Sequence, residues 1–235
     1  MGQATEQILA AARVRQGGLV CVANVDMLTR AKHNSKLLTI MRRATAVVTD
    51  GMPLVWSLRR LHRRTEAARV HGPSLVLALC ERAALEGIGV YFYGGTEGEA
   101  ALLRQALLAR WPGIRLAGIV SPPMLPPEPG FDAAAVEAIN TSGAGLLFVG
   151  LGCPKQEHWM AAQQPALLPV SLGVGLAFAL IAGTKSPAPN WMRDAGLEWL
   201  YRLGQEPGRL WKRYLVGNSR FIWYVTRELL RFEKR

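Results

Sequence analysis

Short apolar runs that alternate with helix-like stretches constrain the fold of this chain more than any other feature. Six such runs are bounded by glycine, proline or polar residues, and the longer stretches between them carry the spacing of amphipathic helices. This alternation is typical of a mostly parallel sheet that is covered by helices. The sequence therefore predicts an α/β fold. The predicted strands are residues 18–23, 46–49, 89–93, 114–120, 145–149 and 169–173.

Small or polar residues directly follow most of the predicted strands. Asn24 follows the first strand, Asp50 follows the second, and glycines end or follow the third, fifth and sixth. The ligand crevice of an open α/β sheet lies beyond the carboxyl ends of its strands. We therefore expect these residues to line one site. They are Asn24, Asp50, Gly94, Gly95, Gly150, Gly152 and Gly173.

The charge of the chain is unevenly distributed. The 235 residues carry a formal net charge of +11, which favours an anionic partner such as a phosphate, a nucleic acid or an acidic lipid surface. Residues 185–235 hold eleven Lys or Arg against five Asp or Glu, and aromatic residues are frequent among them. We predict an α/β core in residues 1–190 and a basic, aromatic, helical C-terminal appendage in residues 191–235.

Cysteine usage and one uncharged stretch exclude several classes of protein. Cys21, Cys80 and Cys153 are widely spaced, which favours neither a disulfide framework nor a zinc site and indicates a reducing cytoplasm. Residues 158–184 carry no full charge, but their prolines, glutamines and glycines would break a membrane-spanning helix. A buried strand followed by a buried helix is the better interpretation of that stretch.

Asp50 stands between a predicted strand and a predicted helix, in the segment TDGMP. A carboxylate at such a position can act as a general base that removes a proton from an acceptor hydroxyl. The alternative is a turn or a helix cap, since Asp is favoured in both. The residue alone does not decide between these interpretations.

Two glycine turns lead into helices. In YFYGGTEGE, Gly94 and Gly95 would let backbone N–H groups hold an anion, although a plain strand-to-helix turn fits equally well. In GLGCPKQE, Pro154 suits the first helical position, and Lys155 and Gln156 can donate to a phosphate or a sugar. The alternative for the second turn is a capped helix with solvated charges.

Basic residues mark two further places. Arg69 and His71 in RVHG could lie near the crevice, whereas RRLHRR at 59–64 is more simply a solvated basic face. In the C-terminal stretch, basic and aromatic residues interleave. That pattern suits a helix on anionic lipid, arginines that clamp a diphosphate, or contact with nucleic acid. The basic residues concerned are Arg202, Arg209, Lys212, Arg213, Arg220 and Arg227.

Taken in order, these segments resemble the WecG/TagA/CpsF family of bacterial glycosyltransferases. The resemblance spans about residues 18–215, and its most specific parts are PKQE and the closing motif. The matching segments are VANVDML, TDGMP, RVHG, YFYGG, FVGLGCPKQE, GVG-x-x-F, APNW and GLEWLYRL-x-x-EP-x-R-x-x-x-RY.

The resemblance implies a Rossmann-like core and an inverting, metal-independent transfer from a UDP-sugar. The sugar would be of the hexose or N-acetylhexosamine type, and the acceptor a polyprenyl-diphosphate-linked saccharide of bacterial exopolysaccharide, teichoic acid or surface-antigen synthesis. No cofactor besides the UDP-sugar donor is implied. The expected partners are the donor, the acceptor and an anionic membrane surface at the inner face of the plasma membrane. The resemblance implies no nucleic-acid partner and leaves a homo-oligomer open.

The resemblance also implies roles for particular residues. Asp50 matches the family's catalytic base, and Asn24 and Gln156 match pocket residues near the reacting sugar. Appendage cations would close over the donor diphosphate and replace a metal where negative charge develops. These cations are Arg202, Arg209 and either Lys212 or Arg213.

The sequence departs from the family pattern at four positions. Val22 stands where Thr is common, Ser74 where Asp is usual, Ala179 where Asp follows the phenylalanine, and Pro187 where Arg often stands. None of these touches Asp50, but together they leave the donor sugar undetermined.

Two other classes of function make predictions that differ from those of a glycosyltransferase. An ordinary Rossmann oxidoreductase or methyltransferase predicts a complete glycine fingerprint with an acidic residue about twenty positions further on, and the sequence contains neither. A non-catalytic basic module for membrane or nucleic acid would leave Asp50 dispensable and would bind nucleic acid with strong salt dependence. The second alternative stays open at the level of sequence.

Overall fold

All strands of the computed structural model form one parallel sheet. The structure describes residues 2–232, with side chains up to residue 230. The order across the sheet is β2-β1-β6-β5-β3-β4, and every neighbouring pair is parallel. This sheet confirms the predicted α/β fold. The strands are β1 (Leu19–Ala23), β2 (Ala46–Thr49), β3 (Gly89–Gly94), β4 (Leu116–Val120), β5 (Ala144–Gly150) and β6 (Val170–Gly173).

The six predicted strands are confirmed, with ends that differ by at most two residues. The largest difference is at β4, which begins at Leu116 rather than Ile114. Pro112 and Gly113 form a turn there, and the backbone N–H of Ile114 donates to the Trp111 carbonyl at 3.0 Å. That turn delays the start of the strand.

Helices fill the connections and cover both faces of the sheet. Successive strand residues point to opposite faces, so Val20 enters a core with α1, α5 and α6, while Cys21 enters a core with α2, α3 and α8. The helices before β4 are α1 (Gly2–Val14), α2 (Val25–Ala31), α3 (Ser35–Arg43), α4 (Met52–Leu61), α5 (Gly72–Glu86) and α6 (Glu97–Arg110). The later ones are α7 (Ala133–Thr141), α8 (Lys155–Gln163), α9 (Ala177–Ile181), α10 (Asn190–Asp194), α11 (Glu198–Gln205) and α12 (Pro207–Phe232).

The uncharged stretch 158–184 contains the rest of α8, then β6 and α9, which confirms a buried strand followed by a helix. Gly173 ends the strand, and Gly175 lies between the strand and the helix. In the part of the chain that the structure describes, no helix has both the length and the apolar character needed to cross a bilayer.

The C-terminal end is mostly helical, as predicted. The 26-residue α12 packs against α2, α4 and α11 and buries Leu210, Tyr214 and Gly217. Residues 233–235 of the predicted appendage lie outside the described residues, and its boundary at residue 190 stays a prediction. This packing places α11 and α12 beside the carboxyl ends of β1 and β2.

Candidate active site

Two cavities meet at the carboxyl ends of the strands. The first, of about 300 Å³, lies over the glycine turns that follow β3, β5 and β6. The second, of about 380 Å³, is lined by residues of α2, α4, α11 and α12. A small set of residues lines both cavities, so two ligands could meet there. These residues are Asn24, Asp50, Glu198, Arg202 and Arg213.

Asp50 lies directly after β2, between the two cavities. Its backbone N–H donates to the Ala23 carbonyl at 2.6 Å, which fixes it beside the end of β1. The side chain is 23% exposed. It does not cap α4, whose N-cap is Gly51, and it accepts instead from the backbone N–H of Gly72. The carboxylate is thus held in place and still open to both cavities.

The surroundings of Asp50 raise the pKa of its carboxyl group. Burial is the largest cause, and the charge of Glu198 also raises the pKa, whereas the charges of His71 and Arg69 lower it without cancelling the rise. A carboxylate with a raised pKa is a stronger base than an exposed aspartate. This environment suits proton removal from a hydroxyl.

Arg69 joins α11 to the surroundings of Asp50. Its Nη1 donates to the Arg193 carbonyl at 2.8 Å, and its Nη2 pairs with the Glu198 carboxylate. His71 places Nε2 3.7 Å from Glu198, while its Nδ1 lies 2.9 Å from the Ser74 hydroxyl. Burial raises the pKa of Glu198, but His71 and Arg69 outweigh it and hold that pKa at about 2. Glu198 is therefore ionised at neutral pH.

Sequence reasoning did not single out Glu198. It lies within the closing GLEWLYRL segment, in which the sequence pointed only to Arg202. Arg69 and Glu198 are 129 positions apart, so only the docked helix brings them together.

Asn24 lines both cavities at the end of β1. Its side-chain oxygen accepts from the Met27 backbone N–H at 3.0 Å and caps α2. No described residue accepts a hydrogen bond from its amide nitrogen, so the cap leaves that donor available to a ligand.

Gln156 ties two glycine turns together beneath the first cavity. It is 4% exposed, and its Oε1 accepts from the backbone N–H groups of Gly152 and Gly175, each at 3.1 Å. Its Nε2 donates to Glu157 at 2.8 Å. Gln156 therefore has one amide hydrogen left that could donate to a ligand.

Glu157 lies wholly buried behind Gln156. Burial raises the pKa of its carboxyl group, and the hydrogen bond from Gln156 only partly opposes that rise. Its Oε2 has no hydrogen-bond partner among the described residues. A buried carboxyl with one unpartnered oxygen favours the neutral acid.

One expectation from the sequence is corrected, at Pro154, while substrate binding by Lys155 and Gly94 stays a prediction. Lys155 lines neither cavity, because its Nζ donates to the Leu125 carbonyl at 2.7 Å in the proline-rich loop. Pro154 precedes α8 instead of opening it. Gly94 also lies outside both cavities; a Cβ there would come within 2.7 Å of the Gly150 backbone. Its role is to let the ends of β3 and β5 approach closely.

Basic side chains line the first cavity on the side of the C-terminal helices. Arg213 is held by the core, since its Nε lies 2.9 Å from the Asp26 carboxylate, which Arg30 also contacts at 2.9 Å. Asp26 is itself buried. The basic residues that line this cavity within the described chain are Lys185, Arg202, Arg209 and Arg213.

The other three cations differ in their partners. Lys185 and Arg209 both pair with the carboxylate of Glu206. Arg202 is half-buried and has no ion-pair partner among the described residues, although it lines both cavities. An unpaired cation at the junction is suited to an anionic ligand.

A parallel α/β sheet with a basic carboxylate and several cations at its strand ends is typical of an enzyme that acts on a phosphorylated substrate. The chain belongs to the WecG/TagA/CpsF family of glycosyl transferases, whose family model matches residues 1–235. The resemblance in the sequence is thereby confirmed. Membership implies glycosyltransferase activity in polysaccharide biosynthesis.

Proposed function

We propose that the chain is an inverting, metal-independent glycosyltransferase. It transfers a hexose or N-acetylhexosamine-type sugar from a UDP-sugar to a polyprenyl-diphosphate-linked saccharide. The observation that carries this proposal is the place of Asp50, which lines both a glycine-floored cavity and a more apolar second cavity. A base between two cavities suits a reaction between a bound donor and a bound acceptor.

The first cavity suits the UDP-sugar. Its floor consists of glycine turns whose backbone can approach a phosphate closely, as at Gly152 and Gly175. The cations Arg202, Arg209 and Arg213 border it and can bind a diphosphate in a bidentate manner.

The second cavity suits the lipid-linked acceptor. Met52, Trp199 and Phe221 give it an apolar lining, which continues to the outer surface through Leu215 and Ile222. These last two side chains are 57% and 64% exposed, so one helix contributes both to the cavity and to an exposed apolar face. An acceptor that carries a prenyl chain could extend from this cavity along α12.

The chemistry follows from this arrangement. Asp50 takes the proton of the acceptor hydroxyl as its oxygen forms a bond to C1 of the donor sugar. The bond from C1 to the UDP oxygen breaks at the same time, and its electron pair leaves with UDP. A single displacement of this kind inverts the configuration at C1.

Stabilisation of the leaving UDP is assigned to the side chains that border the first cavity. Arg202 is the strongest candidate, because no described carboxylate neutralises it. Within the described residues no group of three His, Cys, Asp or Glu side chains could hold a metal ion. Fixed cations that face developing negative charge supply the electrostatic stabilisation that such a reaction needs.

The experiment that tests this function uses a panel of UDP-sugars with a short-chain diphosphate-linked saccharide as acceptor. We expect UDP release and a product heavier by one sugar, with inverted anomeric configuration by NMR and full activity in EDTA. Retention of configuration or abolition by EDTA would contradict the mechanism. No release with any donor would favour the non-catalytic basic module instead.

We also propose that residues 191–235 form an appendage that closes the site and holds the enzyme at the inner face of the bacterial plasma membrane. The outer face of α12 exposes Trp211, Ile222 and Trp223 beside Lys212 and Arg227. Apolar and basic side chains on one exposed helix face suit an anionic bilayer surface.

Vesicle sedimentation tests the membrane proposal. Wild-type protein should bind phosphatidylglycerol vesicles, bind phosphatidylcholine vesicles less, and dissociate as salt rises. The double variant I222S/W223S should lose binding, whereas L102S, at an exposed leucine on α6, should not. Equal binding of both variants would show that α12 is not the membrane contact.

A further inference from the structure

The guanidinium of Arg69 contacts both the α10–α11 segment and Asp50, the proposed base. Nη1 bonds to the Arg193 carbonyl and Nη2 to Glu198, so two of its three nitrogens face the segment that carries α10 and α11. The third, Nε, is buried without a hydrogen bond and lies 3.6 Å from Oδ1 of Asp50. A guanidinium prefers two parallel hydrogen bonds to one carboxylate, and Asp50 is the nearest alternative to Glu198.

Several charged groups face Asp50 besides Arg69. His71 and Glu198 act directly on its charge, and two cations share both of its cavities. Asp26 lines the second cavity but is already paired with two arginines. Among the described residues, the charged groups that act on Asp50 or line a cavity with it are Arg69, His71, Glu99, Lys185, Arg193, Glu198, Arg202, Arg209, Arg213 and Asp26. Of these, Glu198 alone both contacts Arg69 and acts on the charge of Asp50.

We propose that Glu198 is a positioning residue that keeps the Arg69 guanidinium off Asp50, so that the base reaches full strength only when α11 is docked on the core. This inference rests on the proposed role of Asp50 as the base. It gives α11 a task besides closing the cleft, because the helix brings the carboxylate that competes for Arg69. His71 fixes that carboxylate from the other side, with Nε2 3.7 Å from Oε1.

Loss of the Glu198 charge should redirect Arg69. With a neutral side chain at position 198, the guanidinium can swing its Nη groups toward Asp50 and pair with it. An opposite charge in direct contact favours the ionised carboxylate and lowers its proton affinity. A weaker base removes the hydroxyl proton less effectively, so the rate falls while the donor still binds.

The test compares pH profiles of kcat/KM for wild-type, E198Q and E198D, with D194N as a control at an exposed carboxylate of α10. We expect E198Q to lower the plateau roughly tenfold and to move the acid limb to lower pH. E198D keeps the charge and should retain most of the wild-type profile. D194N should match wild-type.

A double variant separates positioning from structure. In R69Q/E198Q the Arg69 guanidinium is absent and cannot pair with Asp50, so the acid limb should return toward the wild-type position. UDP binding and melting temperature, measured on every variant, show whether the fold and the donor site survive. An E198Q profile with an unmoved acid limb would overturn the proposal, whether its plateau falls or not.

The outcome for D50N keeps the two proposals apart. If D50N retains transfer, the base itself is wrongly assigned, and the proposed function fails at that point. If D50N is inactive while E198Q has a wild-type profile, Asp50 stands and only the role of Glu198 is refuted.

Discussion

The two sides of the cleft are held by different interactions. On the core side, backbone N–H groups of two glycine turns donate to the Gln156 side chain, which in turn donates to the buried Glu157. On the appendage side, α11 and α12 are attached by ion pairs, Glu198 to Arg69 and Arg213 to Asp26. Buried neutral contacts resist salt, whereas partly exposed ion pairs weaken with it. We therefore expect the core side to form a fixed floor and the appendage side to be the one that yields to substrates.

Apart from loss of the base itself, the largest expected effect is on the core side, at Gly150. A Cβ there would lie 2.6 Å from the ring of Phe178, which is itself buried. We expect Gly150→Val to cost about 1–3 kcal/mol of stability by overpacking. Because the displaced turn lines the donor cavity, activity should fall by a factor of about 100 or more.

Thermal unfolding and UDP release measure this variant. Gly204→Ala on α11, where an added Cβ meets nothing within 4 Å, is the matched control and should resemble wild-type. A Gly150→Val enzyme with wild-type activity would show that the floor is not fixed.

On the appendage side, Arg202→Ala should separate activity from stability. Arg202 has no ion-pair partner among the described residues, so its removal should leave the melting temperature unchanged. If it stabilises the leaving UDP, kcat should fall by about 100-fold. Arg220→Ala, at an exposed arginine of α12, serves as the control in an assay with a water-soluble acceptor. A fall in melting temperature that parallels the fall in kcat would indicate a structural role instead.

The attachment of α12 should depend on Asp26. Asp26→Asn leaves Arg213 and Arg30 without their carboxylate and should cost about 2 kcal/mol, because Asp26 is buried. Limited proteolysis should then cut near α12 earlier than in wild-type. Glu128→Gln breaks the exposed pair with Lys36 and should leave the digestion pattern unchanged. Identical digestion of Asp26→Asn and wild-type would show that this ion pair does not hold α12 on the core.

The smallest expected effect concerns the pH dependence of the core side. The pKa of Glu157 is raised above its usual 4.5, so the folded state holds this proton where the unfolded chain has lost it. This contribution to stability is fully present below pH 4.5 and is lost as pH rises through the raised pKa.

Glu157→Gln cannot titrate and keeps an oxygen that accepts from Gln156. Its melting temperature should therefore fall less than that of wild-type between pH 5 and pH 8, in buffers of equal ionic strength. Parallel curves for the two proteins would mean that Glu157 does not titrate differently on folding.

This contrast between the two sides also explains what the sequence could predict. The strands and the turn residues Asn24, Asp50 and Gly150 follow from local apolar runs, and local patterns survive in the fold. The ion pairs that hold the appendage join residues far apart in the chain, such as Arg213 and Asp26, and depend on how α12 packs.

The sequence also did not predict the directions in which side chains point. Lys155 and Gln156 are adjacent, yet one turns outward to the Leu125 carbonyl and the other inward to two glycine turns. Helical spacing predicts which neighbours share a face, but not which face meets the cleft.

The most direct test of the central claim is Asp50→Asn, measured for transfer and for UDP binding on the same preparation. The claim that Asp50 is the base between donor and acceptor predicts a loss of turnover by a factor of about 1,000, within the range for general bases, with UDP affinity unchanged. Turnover close to that of wild-type, with the fold intact, would contradict it.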